Sequence, residues 1–149
     1  MSNISNSDSR DNSVLSPHLC VNPSDMAKAR GFSHAVIAQP GKTIYLAGQI
    51  AVDANSKVVG DNFVEQFSVA LSNVVQALRA AGGSPEHLVS LVMYATDVDA
   101  YRSSLREIGA AYRTIIGSYY PAMTLVGVTE LVEPLAMIEI VGTAVVPNI

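Results

Sequence analysis

Apolar residues along this chain recur in two periods. Ser33-His34-Ala35-Val36-Ile37-Ala38 reads as a strand, and Gln39-Pro40-Gly41-Lys42 suits the corners of a tight turn. Thr43-Ile44-Tyr45-Leu46-Ala47 follows as the second arm of a hairpin. Gly48-Gln49 closes that arm, where a glycine lets another backbone or a ligand come near. The period then lengthens. Phe63, Phe67, Leu71, Val74, Leu78 and Ala81 fall at spacings of three and four, one stripe of a helix opened by Asp61 and stopped by Gly82-Gly83. Ser84-Pro85-Glu86-His87 is a capped short turn with proline in its first helical position. Leu88 to Thr96 is apolar enough for a central strand. Asp97 or Asp99 caps a second helix that buries Leu105, Ile108, Tyr112 and Ile115, keeps Arg102, Arg106 and Arg113 outside, and ends at Gly117. Ala122 to Val128 is a strand, Thr129 to Pro134 turns the chain back, and Leu135 to Val146 is the last strand.

The predicted order is β-β-α-β-α-β-β. Each strand–helix–strand unit favours a parallel, right-handed crossover, while the end pairs are expected as antiparallel hairpins. The fold class is α+β: one mixed sheet with both helices on one face. No element is left to cover the other face, so a further subunit is expected there.

The last strand raises a chemical question. After Pro134 the only ionisable side chain is Glu139. A carboxylate buried without a partner costs several kcal/mol, roughly, or takes up a proton. Glu139 therefore faces water, has a partner, or lines a cleft. A carboxylate among apolar neighbours in a cleft is how proteins build a general acid or base.

Composition narrows the rest. The chain has 149 residues, 49% hydrophobic against 15% charged, which fits one domain with extra apolar surface for an oligomer interface. No apolar run approaches the ~18 residues of a membrane span. A net charge of −4 argues against nucleic acid, which requires a clustered basic face. The single Cys20 excludes an internal disulfide and a cysteine-rich metal site, and a reduced cytoplasmic setting is the simplest expectation. Residues 1–25 open on a polar, aperiodic run and are expected as a flexible tail before a single domain over 26–149. Cys20 and His18 lie in or beside that tail, and His87 in a solvated turn, so no function is assigned to them.

Taken together, several marks resemble the Rid/YjgF family of small enamine and imine deaminases. They are Gly31-Phe32-Ser33-His34-Ala35-Val36, Tyr45-Leu46-Ala47-Gly48-Gln49-Ile50, Gln66 and Asn73, Ala80-Ala81-Gly82, Pro121-Ala122 and Ile138-Glu139-Ile140. The resemblance implies a chorismate-mutase-like fold assembled as a homotrimer, with clefts between subunits. It implies that Glu139 places or activates a water that attacks an imine carbon. Phe32, Ser33, His34, Gly48, Gln49, Tyr94, Met123 and Thr124 would then bind the substrate. No metal or organic cofactor is implied, because a protonated imine is already electrophilic.

The chain also departs from that pattern. The family holds the substrate carboxylate with an arginine after Pro-Ala, and here Met123 stands in its place. Arginine grips a carboxylate through two charge-assisted bonds, whereas methionine offers a soft apolar surface. Phe32, Ala47 and Leu125 likewise stand where the family carries polar groups. The expected ligand is therefore a small molecule other than 2-aminoacrylate: larger, flatter or less charged. Arg30 and Arg106 are the candidates to replace the missing cation. Two functions stay open: an imine deaminase, and a non-catalytic trimer that binds a small molecule or docks on a partner through the same cleft.

Overall fold

The computed structural model describes residues 15–148. Its elements are β1 (Leu19–Val21), β2 (Ala35–Ile37), β3 (Gly41–Gln49), α1 (Phe63–Ala80), a 3-10 turn (Pro85–His87), β4 (Leu88–Ala95), α2 (Val98–Ser103), α3 (Leu105–Ile115), β5 (Ala122–Gly127) and β6 (Ile138–Pro147). The main sheet has the order β3-β6-β4-β5, with β4 and β5 parallel and the other pairs antiparallel. The mixed α+β sheet expected from the sequence is present.

Both hairpins are corrected. β2 pairs with β1, not with β3, and β3 pairs with β6. Pro40-Gly41 does not form a hairpin corner. Gly41 sits opposite Pro147 in the ladder, and the Pro40 carbonyl accepts a hydrogen bond from Asn148 N at 3.1 Å. At the other end β6 does not fold back on β5. It inserts between β3 and β4, where its long apolar face gains two flanking ladders instead of one. The tail expected over 1–25 is also corrected in part, because Leu19–Val21 is a strand; residues 1–14 lie outside the described residues.

α1 is capped by Asn62 rather than opened by Asp61. Asn62 Oδ1 accepts from Glu65 N at 3.0 Å, and the Glu65 carboxylate in turn accepts from Asp61 N at 2.7 Å. That is a reciprocal pairing of orphan amides at a helix start. The second helix divides at Ser104 into α2, capped by Asp97, and α3. The division turns Leu105 out to 56% exposure, while Ile108 and Tyr112 stay buried as the stripe predicts.

The helices cover one sheet face. Leu46, Leu91, Met93, Ile138 and Ile140 from the sheet meet Phe63, Phe67, Leu71, Val74 and Leu78 from α1 in one core. The alternate residues face the other way: Tyr45 and Ala47 on β3, Glu139, Val141 and Thr143 on β6, Ser90, Val92 and Tyr94 on β4, and Thr124 and Val126 on β5. None of these is buried, and Tyr45 is 82% exposed. Among the described residues no helix packs on this face, and the Phe32–His34 segment meets it only at the β5 edge.

Candidate functional site

Glu139 stands on the uncovered face, opposite Tyr94 in the β4–β6 ladder. β6 presents it there because Ile138 and Ile140, its neighbours in sequence, are fully buried on the helix side. On its other flank β3 carries a bulge. From Leu46–Gly142 to Gln49–Ile140, β3 advances three residues while β6 advances two. Gly48 lies in that bulge, under the Glu139 side chain. A β-carbon on Gly48 would run into Glu139 Oε1, with Cδ at 2.8 Å and Cγ at 3.0 Å. The one ion pair among the described residues is Arg102–Asp99, far along the chain on α2. Glu139 therefore has no cation beside it there. Gly48, Tyr94 and Glu139 are neighbours on this face.

A second group lies at the β5 edge. Phe32, Ser33, His34, Met123 and Thr124 line one shallow cavity of about 270 Å³, together with Ser90, Leu91, Val92 and Ala122. Ser33 is held by its amide, which donates to the Pro121 carbonyl at 3.0 Å, and by its hydroxyl, which donates to the Tyr120 carbonyl at 2.6 Å. Phe32 meets the His34 ring edge-on, with centroids 5.2 Å apart. The Nε2–H of His34 donates to the Ala27 carbonyl at 2.7 Å, and its backbone N–H donates to Asn22 Oδ1 at 2.9 Å. A carbonyl can only accept, so this bond puts a proton on Nε2. The imidazole pins the 22–31 loop. Met123 packs against the core beside Leu91, and among the described residues no lysine or arginine lines the cavity.

The two groups do not meet within one chain. Thr124 pairs with Val92 and Val92 with Val141. Glu139 is two residues further along β6 and two strands away, about 12 Å at ordinary strand spacing and rise. Phe32 and Tyr94 thus fall in different groups rather than forming one aromatic wall. Gln49 belongs to neither. It lies beyond the bulge, its amide folds back onto the Ala47 carbonyl at 3.2 Å, and it lines a separate groove with Asp53 and Asn73. Arg106 is exposed on α3, in the helix layer, and Arg30 is exposed ahead of Gly31; neither lines the Phe32 cavity. Among the described residues no three His, Cys, Asp or Glu side chains are grouped to hold a metal.

The sequence reading missed the support behind Ser33. Tyr112 and Tyr120 stack with centroids 4.9 Å apart. The Tyr112 hydroxyl donates to the Tyr119 carbonyl and the Tyr119 hydroxyl to the Leu88 carbonyl, each at 2.6 Å. Burial pushes the Tyr112 phenol well above its ordinary value and, above all other causes, pushes Tyr119 up to about 12. Tyr112 was visible in the helical stripe, but its hydroxyl's partner was not. This network fixes the strand start that carries Ala122 and Met123.

Comparison with known proteins identifies the lineage. The family model described as Endoribonuclease L-PSP matches residues 23–146. The chain belongs to the Rid/YjgF family. A Rid-family protein of Yersinia pestis, YyfB, shares 32% identity and a TM-score of 0.79, over 87% of this chain and 98% of its own. Rv2704 of Mycobacterium tuberculosis, of the YjgF/YER057c/UK114 family, shares 30% identity and a TM-score of 0.58, over 78% and 87%. The human 2-iminobutanoate/2-iminopropanoate deaminase is 31% identical over 80% of this chain and 85% of its own length. As a Rid/YjgF protein, the chain keeps the family's sheet and helix layers. No helix among the described residues is long and apolar enough to cross a membrane.

Proposed function

We propose that this chain hydrolyses the C=N bond of a small imine or enamine and releases ammonia. Water adds through oxygen to the imine carbon, giving a carbinolamine. Its C–N bond then breaks, and the products are a carbonyl compound and ammonia. Glu139 accepts the water proton during addition and returns one to the leaving nitrogen. The observation that carries this reading is the Glu139 carboxylate, held above Gly48 on an uncovered face with no ion-pair partner among the described residues.

The working site is a cleft between copies of a homotrimer, where the Phe32 cavity of one subunit meets Glu139 of the next. Two facts support this: the ~12 Å gap between the two groups in one chain, and the uncovered face that carries Glu139. The human relative is named for carboxylate-bearing imines, 2-iminobutanoate and 2-iminopropanoate. With Met123 and, among the described residues, no lysine or arginine in the cavity, the substrate here carries no carboxylate at that end. A ribonuclease role fits poorly with a net charge of −4. A cytoplasmic setting belongs to the same reading, as the simplest one for a chain with a single cysteine.

The test is ammonia release from a panel of N-unsubstituted imines formed in situ by oxidase-catalysed oxidation of primary amines and amino acids. One or more uncharged imines should turn over, 2-iminopropanoate should turn over poorly, and Glu139→Ala should abolish the activity. Turnover that survives Glu139→Ala removes the role given to Glu139. Ligand-induced melting shifts without any turnover favour the non-catalytic binding trimer, a reading that the apolar lining around Met123 also suits.

A further inference from the structure

We infer that Gly48 is a positioning residue for Glu139: the bulge and the missing side chain together reserve the space in which the carboxylate stands. The inference rests on the catalytic role proposed for Glu139, and it adds a residue that acts through it.

The geometry has two parts. The bulge supplies an extra residue on β3 opposite β6, which bends the strand and re-aims the groups next to it. Gly48 then presents bare backbone to β6 at that point. All three heavy atoms nearest to a β-carbon built on Gly48 belong to one side chain, Glu139: Oε1, Cδ at 2.8 Å and Cγ at 3.0 Å. Real β-carbons do not approach other atoms so closely, so any other residue here displaces the carboxylate. Positive φ is not the reason for the glycine, because Gly48 is not among the residues with that conformation. The reason is the neighbour. A glutamate side chain has three rotatable bonds, and nothing on the β4 side clamps it by hydrogen bond or ion pair among the described residues. The floor at Gly48 is what favours the rotamer that leans over β3.

This makes a prediction that ordinary backbone effects do not. The cost of a methyl group at position 48 depends on what stands at position 139. In a melting experiment on the full chain, Gly48→Ala should lower the Tm by about 3 °C, a modest loss because the atoms that must give belong to a flexible side chain. The same change made on Glu139→Ala should leave it within about 1 °C, because the obstructing side chain is gone. Equal losses in both backgrounds overturn the inference, whatever the protein catalyses. If Gly48→Ala alone yields no folded protein, recovery of folded protein by adding Glu139→Ala supports the inference, and failure to recover overturns it.

Turnover supplies the second readout. With an imine that the parent protein hydrolyses, Gly48→Ala should cut kcat about 100-fold, the scale of a 1 Å misplacement, with KM within about threefold. An unchanged kcat in folded Gly48→Ala overturns the positioning role. Coupled melting losses with an activity that Glu139→Ala leaves intact would retain the steric relationship and remove the catalytic reading instead, so the two failures are told apart.

Discussion

His18 Nε2 lies 2.9 Å from the carbonyl oxygen of Val145, which ties the strand that opens the described chain to the one that closes it. The same N–H also points at the His87 carbonyl at 3.2 Å, while Nδ1 accepts from Gln39 N at 3.1 Å. A neutral ring with its proton on Nε2 satisfies all three at once. His18 is 6% exposed, so water cannot replace these bonds. His18→Ala should therefore destabilise the fold by about 2 kcal/mol, the cost of leaving buried polar groups unpaired. Chemical denaturation of the two proteins checks this, and a change under about 0.5 kcal/mol would show that the contacts form only incidentally.

This residue also marks where reading the sequence stopped. The long apolar repeats of α1 and the Val/Ile-rich run of β6 were legible because each buries one continuous face. Leu19-Cys20-Val21 was not, since three residues carry no period, and their strand exists only because β2 offers an edge. The partner of β3 was hidden for a related reason. Pro40-Gly41 is turn chemistry locally, but the ladder to Pro147 and the bond from Asn148 outweigh it. At the site, Glu139 was legible as a lone charge in an apolar strand. Its relation to Gly48 was not, because a bulge shifts register by one residue and leaves no mark in hydropathy.

His34 was expected among the substrate-binding residues, and it does line the cavity with Phe32 and Thr124. Its Nε2–H, however, is committed to the Ala27 carbonyl. His34→Gln places an amide donor at a similar reach, so it should keep kcat within about threefold, whereas loss of a true proton-transfer group costs roughly 100-fold or more. His34→Ala releases the loop, and trypsin should then cut at Lys28 and Arg30 faster than in the parent. Equal cleavage rates would show that the imidazole does not hold the loop.

Tyr45 stands on the edge strand β3 of the uncovered sheet face at 82% exposure, with Val126 at 40% on the opposite edge strand, β5. An aromatic ring left in water on an apolar-flanked face gains most by being covered. If a second copy covers it, Tyr45→Arg places an unpaired charge in that contact and should shift the native mass from trimer toward monomer. Light scattering coupled to size-exclusion chromatography reads this directly. A parent protein that runs as a monomer would overturn the trimer, and a mass unchanged by Tyr45→Arg would place the subunit contact elsewhere. Activity should fall together with the trimer, because the Phe32 cavity and Glu139 are brought together only between copies in the function proposed above.

The tyrosine pair behind Ser33 predicts an alkaline limit to stability. Burial favours the neutral phenol at Tyr112 and Tyr119, raising both above the ordinary value of 10.0, with Tyr119 at about 12. A group whose pKa is higher in the folded state contributes its full stabilisation below the unfolded pKa and loses it as pH rises toward the folded one. Stability should thus be flat in this respect up to about pH 10 and fall between about pH 10 and 12. Tyr119→Phe removes one ionising group, so its Tm should fall less steeply over that window than the parent's. The same variant loses the bond to the Leu88 carbonyl, so at neutral pH it should be less stable by about 1 kcal/mol. The two effects have opposite signs, and the melting curves of parent and variant should converge as pH rises. Curves that stay parallel from pH 8 to 12 would mean that Tyr119 ionises as freely in the folded chain as in the unfolded one.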